Sequence, residues 1–198
     1  MNYKLFTSES VCAGHPDKIC DQISDAILDE VLRQDPLSRT AVETVVKDRV
    51  ILAGEIHTRA QINYQTLVKT QLERLGYTRP EWGFSTASPV EILINEQSPE
   101  IAQGVEDDSG AGDQGMMFGY ACRETLQLMP LPIILAHAIT YMIDHLRESK
   151  TLPWLRPDGK AQVTVRYEDN KPAGIEKVVV AVAHEESIDL SQVQEQIY

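Results

Sequence analysis

The chain has 198 residues, 42% hydrophobic and 24% charged, with 11 Gly and 10 Pro, a globular composition that excludes collagen-like, disordered and membrane-spanning classes. Its net charge of −12 opposes non-specific attraction to nucleic-acid phosphates and anionic lipid, so neither nucleic acid nor membrane is expected as a partner, and a polyanionic ligand needs local cations or metal ions. The N-terminus lacks a basic stretch followed by an apolar segment, no apolar run approaches the ~20 residues a bilayer requires, and Cys12, Cys20 and Cys122 lack C-x-x-C spacing, so a cytoplasmic protein without disulfides is expected.

A helix is predicted from Pro16 to about Gln34, since Pro suits a first helical position and Ile19, Ile23, Ala26, Ile27 and Val31 recur at three- and four-residue spacing. Asp21, Asp25 and Asp29 lie along one face of it, which reads as a solvated face in preference to a metal ladder. Two β-branched runs follow, Thr40 to Lys47 and Val50 to Thr58, and the brief Asp48-Arg49 connection permits only an antiparallel hairpin. Gln61 to Leu75 is predicted helical with Gly76 as its C-terminal cap, and Val90 to Gln97 is a strand.

Between Ser98 and Gly115 apolar periodicity disappears, and Gly104, Gly110, Gly112 and Gly115 among acids and Ser indicate a mobile loop. It reads either as a lid over a ligand or as a plain surface connection. Pro132 to Leu146 is predicted as a buried or amphipathic helix. Val163, Val165 and Tyr167 alternate in one strand and Val178, Val180 and Val182 in another, with Glu168 to Gly174 as their turn. Ser191 to Tyr198 reads as the opening of a helix that is cut before any cap. The class is α+β with antiparallel sheets.

Three groups of residues could carry chemistry. Ser8 to Lys18 delivers Gly14, His15, Asp17 and Lys18 to a helix start, whose free N–H groups and positive dipole end suit an anion. There His15 can donate a hydrogen bond, Lys18 adds charge, and Asp17 can hold Mg²⁺. In the plainer reading Asp17 complements the helix dipole, His15 is a turn residue and Lys18 is solvated. Trp154 to Lys160 is a Pro-Asp-Gly turn that, read functionally, aims Lys160 at a phosphate. Glu43 and Glu55 interrupt apolar strand patterns and need either a partner or an exposed sheet face. P-loop, G-x-G-x-x-G, G-x-S-x-G and zinc-spaced Cys/His signatures are all absent from the sequence.

The order and spacing of Gly14 to Lys18, Asp35-Pro36 with Glu43-Thr44, Gly54-Glu55-Ile56, Gln97-Ser98-Pro99, Gly110 to Ala121 and Leu152 to Lys160 resemble the methionine adenosyltransferases, essentially from Tyr3 to Tyr198. The resemblance implies an enzyme of S-adenosylmethionine biosynthesis that joins ATP and L-methionine, expels triphosphate and cleaves it to pyrophosphate and phosphate. By motif position His15 and Asp113 would be catalytic. His15, Asp158 and Lys160 would bind ATP, Glu55 and Gln97 methionine, Asp17 Mg²⁺ and Glu43 K⁺. The implied fold is α+β, synthetase-like domains with antiparallel or mixed sheets packed by helices, and the implied complete protein is a homo-oligomer, dimer or tetramer.

The expected organisation is an N-terminal domain over residues 1–100 and, over 101–198, a mobile loop with the start of an incomplete central domain, the family's C-terminal domain being absent. A chain so shortened is expected to be inactive alone. The alternatives are a non-catalytic truncated paralogue that binds a full-length subunit, and a Mg²⁺-dependent phosphohydrolase built on His15 and Asp17. Two departures from the family pattern stand out: Cys12-Ala13 in place of a small residue and Glu, and a short Val105 to Ser109 segment.

Overall fold

Pro16 opens helix α1, Pro16–Gln34, and the buried side chains Ile19, Ile23, Ile27 and Val31 form one stripe at four-residue spacing. Asp21, Asp25 and Asp29 are all exposed, the solvated face that the sequence predicts. The computed structural model describes residues 3–96 and 115–197. The chain forms two compact units, one from Met1–Lys18 with Tyr120–Tyr198 and the other from Ile19–Gly119. The expected loop from Ser98 falls outside the described residues, apart from Gly115, and so do Gln97 and Asp113.

In the Ile19–Gly119 unit, β2 (Arg39–Val46) and β3 (Val50–His57) form the predicted hairpin. Val42 and Thr44 face inward, and the Thr44 hydroxyl meets that of Ser24 on α1 at 2.9 Å. Helix α2, Tyr64–Leu75, starts later than Gln61 because Asn63 caps it, accepting from the Thr66 amide at 3.0 Å. Gly76 closes it in the left-handed conformation at φ 92°. Strand β4, Val90–Glu96, then pairs with β3 in parallel, so the order is β2-β3-β4 and the sheet is mixed. This falls within the antiparallel or mixed sheets that the resemblance implies, and the segment containing α2 is long enough to carry the chain back to the same end of the sheet.

The other unit is built on a long-range pairing. β1 (Tyr3–Val11), a strand the sequence analysis does not anticipate, lies antiparallel to β5 (Leu155–Glu168), which pairs in turn with β6 (Lys171–His184). Helix α3, Leu131–Glu148, packs on β1 and β5, and Cys12, Ala136, Ile143, Leu155, Val163 and Val165 are buried there. The β5–β6 turn is shorter than Glu168 to Gly174: Asp169 and Asn170 make it alone, at φ 49° and 59°.

The expected Pro-Asp-Gly turn is also corrected. Pro157, Asp158 and Gly159 lie within β5, and a register shift between Leu155 and Gly159 accommodates a proline that cannot donate to the ladder. Helix α4, Leu190–Ile197, buries Val193. No disulfide joins Cys12, Cys20 or Cys122. Among the described residues no helix is long and apolar enough to cross a membrane.

Candidate functional site

The β1–β5 ladder joins two motifs that are remote in sequence. Val11 pairs with Lys160, and the ladder ends where Cys12 donates its amide to the carbonyl of Gly159 at 2.8 Å. The chain then turns, with the His15 amide donating to the Cys12 carbonyl at 3.1 Å, and α1 begins at Pro16. Gly14 packs against Pro157 so closely that an added Cβ would lie 2.6 Å from the Pro157 carbonyl oxygen. His15, Asp17, Lys18, Asp158 and Lys160 therefore belong to one unit, with the Gly14–Lys18 turn resting on the first residues of β5.

His15 is three-quarters buried and Asp17 almost fully exposed, with the His15 Nδ1 atom 3.8 Å from the Asp17 carboxylate. Nδ1 also accepts from the Asp17 amide at 3.3 Å. In the neutral imidazole that acceptance puts the proton on Nε2, leaving an N–H donor for an anion. Lys18 is not a solvated cation, as the plainer reading had it: Nζ donates to the Val11 carbonyl at 2.5 Å and ties the helix start to the end of β1.

Lys160 lies on the sheet face away from α3 and forms an ion pair with Glu9 of β1. Gln162 donates to the same carboxylate at 2.6 Å. The Lys160 and Gln162 hydrogen bonds hold the Glu9 carboxyl below its usual range. Glu9 is one functional neighbour that the sequence reading missed, because without the β1 assignment nothing relates it to Lys160. Asp144 of α3 is another: its Oδ2 accepts the Ala13 amide at 2.8 Å. Burial raises the Asp144 carboxyl, a rise opposed by the Ala13 amide and the Arg147 charge. Burial also pushes the Cys12 thiol up to about 12.

Glu43 and Glu55 belong to the other unit. Ladder pairs Ala41–Glu55 and Glu43–Ala53 make them diagonal neighbours on one face of the hairpin, Glu43 exposed and Glu55 half-buried. The exposed-face explanation suffices for Glu43. Two cavities of 360 and 380 Å³ in the first unit share Phe6, Tyr120 and Pro130. They lie at the opposite end of β1 from the Gly14–Lys18 turn.

Residues 3–99 match the family model for the S-adenosylmethionine synthetase N-terminal domain, and residues 108–198 the model for its central domain. The chain belongs to the S-adenosylmethionine synthetase family. It is 51% identical to an S-adenosylmethionine synthase of Thermosynechococcus vestitus, over 93% of this chain and 48% of the relative. It is 49% identical to one of Trichodesmium erythraeum, over 98% of this chain and 51% of the relative. A third, from Clostridium tetani, is 48% identical over 98% of this chain and 54% of its own length. The chain spans about half the length of these curated relatives. The synthetase family is thus the methionine adenosyltransferase family that the motifs resemble, and its two models cover both motif groups.

Proposed function

We propose that this chain supplies the first part of a methionine adenosyltransferase site, where the sulfur of L-methionine attacks C5′ of ATP and expels triphosphate, later cleaved to pyrophosphate and phosphate. Residues 1–100 are its N-terminal part and residues 101–198 its central part. The observation that carries this reading is the juxtaposition of the Gly14–Lys18 turn with Asp158 and Lys160 through the β1–β5 ladder.

The difficult step is the departure of a highly charged group, so donors must lie where negative charge grows. His15 donates from Nε2 toward the oxygen leaving C5′, and Lys160 holds the triphosphate with Asp158 beside it. Glu55 and Gln97 orient methionine, which turns an encounter into an attack along a fixed line. Asp113 is the second catalytic residue.

Mg²⁺ keeps most of its waters and takes one or two carboxylates plus phosphate oxygens, which the exposed Asp17 beside His15 fits. When bound, Mg²⁺ neutralises charge on the triphosphate. For K⁺, Glu43 offers one exposed carboxylate, and no group of three or more acid, His or Cys side chains gathers among the described residues. Glu43 stays a candidate ligand and no step is assigned to that ion.

We place the protein in the cytoplasm as a homo-oligomer, dimer or tetramer. Exposed Val45 and Leu93 on the Glu43 face of the sheet favour a contact with another subunit. That face also supports a second reading, a non-catalytic chain that pairs with a longer subunit. The experiment compares S-adenosylmethionine formation from ATP, L-methionine, Mg²⁺ and K⁺ by the 198-residue chain and by the same chain extended with the remaining length of the Thermosynechococcus relative. The first should give no steady product, and the second should give product that His15→Ala abolishes. A folded, inactive extended protein, or one indifferent to His15→Ala, overturns the catalytic reading.

A further inference from the structure

We propose that Asp144 is a positioning residue for the anion-binding turn, fixing Ala13, Gly14 and His15 from α3 through the hydrogen bond it accepts from the Ala13 amide. Around it the Cys12 amide donates to the Gly159 carbonyl, Lys18 Nζ donates to the Val11 carbonyl, and Gly14 packs against Pro157. Asp144 is the acidic side chain that reaches its middle, with Oδ2 2.8 Å from the Ala13 nitrogen.

The helix gains little from an acid at this place. Asp144 stands near the C-terminal end of α3, where the helix dipole disfavours negative charge, and its side chain keeps only 18% of its exposure. Arg147 offsets part of this from 3.7 Å, yet Asp144 Oδ1 and Arg147 Nε, both buried, have no hydrogen-bond partner among the described residues. Within α3 the cost is offset only in part. The Ala13 amide is where the carboxylate finds a strong, charge-assisted bond.

The consequence reaches His15 through the backbone. Ala13 lies between Cys12, whose carbonyl receives the His15 amide, and Gly14, which has no side chain to resist a change of conformation.

The test uses the whole 198-residue chain, labelled with ¹⁵N. Amide exchange is followed at Ala13 and His15 and, as an internal reference, at Val163 and Val165 in the sheet. Asp144→Ala, which preserves helix propensity, should speed exchange about tenfold or more at Ala13 and His15 while the two valines change less than about twofold. Asp144→Asn, whose amide oxygen can still accept, should return Ala13 to within about threefold of the parent. An equal change at all four amides, or none at Ala13 and His15, overturns the positioning role. The relevance to triphosphate rests on the His15 reading above, and a parent chain that ignores Mg²⁺–tripolyphosphate would sink that reading. The exchange comparison needs no ligand and decides the role of Asp144 either way.

Discussion

Lys160 and Glu9 form an ion pair across adjacent strands, diagonal to each other on the exposed face of the β1–β5 ladder. The cation assigned to triphosphate is therefore already partnered, and an arriving anion must compete with Glu9 for it. Because both side chains are nearly half exposed, that competition is mild.

Glu9→Gln should strengthen binding of Mg²⁺–tripolyphosphate about two- to fivefold, since it removes a negative neighbour and frees Lys160. Isothermal titration at two salt concentrations measures it, with the gain shrinking as salt rises. Weaker binding would mean that Glu9 itself contributes to holding the ligand's metal.

Cys12 lies inside the motif, 1% exposed, with its thiol pushed up by burial from 9.0 to about 12. That rise lowers the thiolate fraction at pH 8 about a thousandfold, so alkylation of native Cys12 should be slower than in urea by about that order. Mass-mapped labelling with iodoacetamide checks it.

The same thiol sets a limit at high pH. Below pH 9.0 it is protonated in both folded and unfolded chains, so it adds no pH dependence. Above 9.0 only the unfolded chain loses the proton, so stability falls as pH rises toward about 12, by at most ~1.4 kcal/mol per pH unit. Cys12→Ala should flatten that part of the curve in denaturant titrations, and an unchanged slope would contradict the assignment.

Gly14→Ala should destabilise the unit that contains β1 by about 1–3 kcal/mol, because its Cβ would meet the carbonyl oxygen and carbon of Pro157, at 2.6 and 2.7 Å, with no flexible side chain to yield. Chemical unfolding read at Trp154, in the same unit, measures the loss. A loss below ~0.5 kcal/mol would show that the turn does not press on β5 as described.

The elements legible in the sequence are those whose signals are local. The α1 stripe of Ile19, Ile23, Ile27 and Val31, the β2–β3 connection and the Gly76 cap each announce themselves within a few residues. Strand β1 does not. Its outward residues include the apolar Tyr3 and Leu5, and its inward ones the polar Lys4, Ser8 and Ser10, so no clean alternation marks it, and only the distant β5 makes it a strand. The Pro-Asp-Gly sequence misled for a related reason: turn chemistry was present, but pairing with β1 and β6 prevailed over it.

The site divides in the same way. His15, Asp17 and Lys160 could be nominated from motifs, because helix starts and cations near anions are local ideas. Glu9 and Asp144 could not, because each acts on a residue that only tertiary pairing brings near. The parallel β3–β4 pair was hidden likewise, since a crossover is a property of the whole path and not of either strand.

The most direct measurement is binding of Mg²⁺–tripolyphosphate to the 198-residue chain by isothermal titration, with His15→Ala and Lys160→Ala alongside. The account predicts one saturable site in the parent chain, weakened about tenfold or more by each substitution, roughly the loss of one charge-assisted hydrogen bond. Absence of binding by the folded parent, or binding that neither substitution alters, would contradict it.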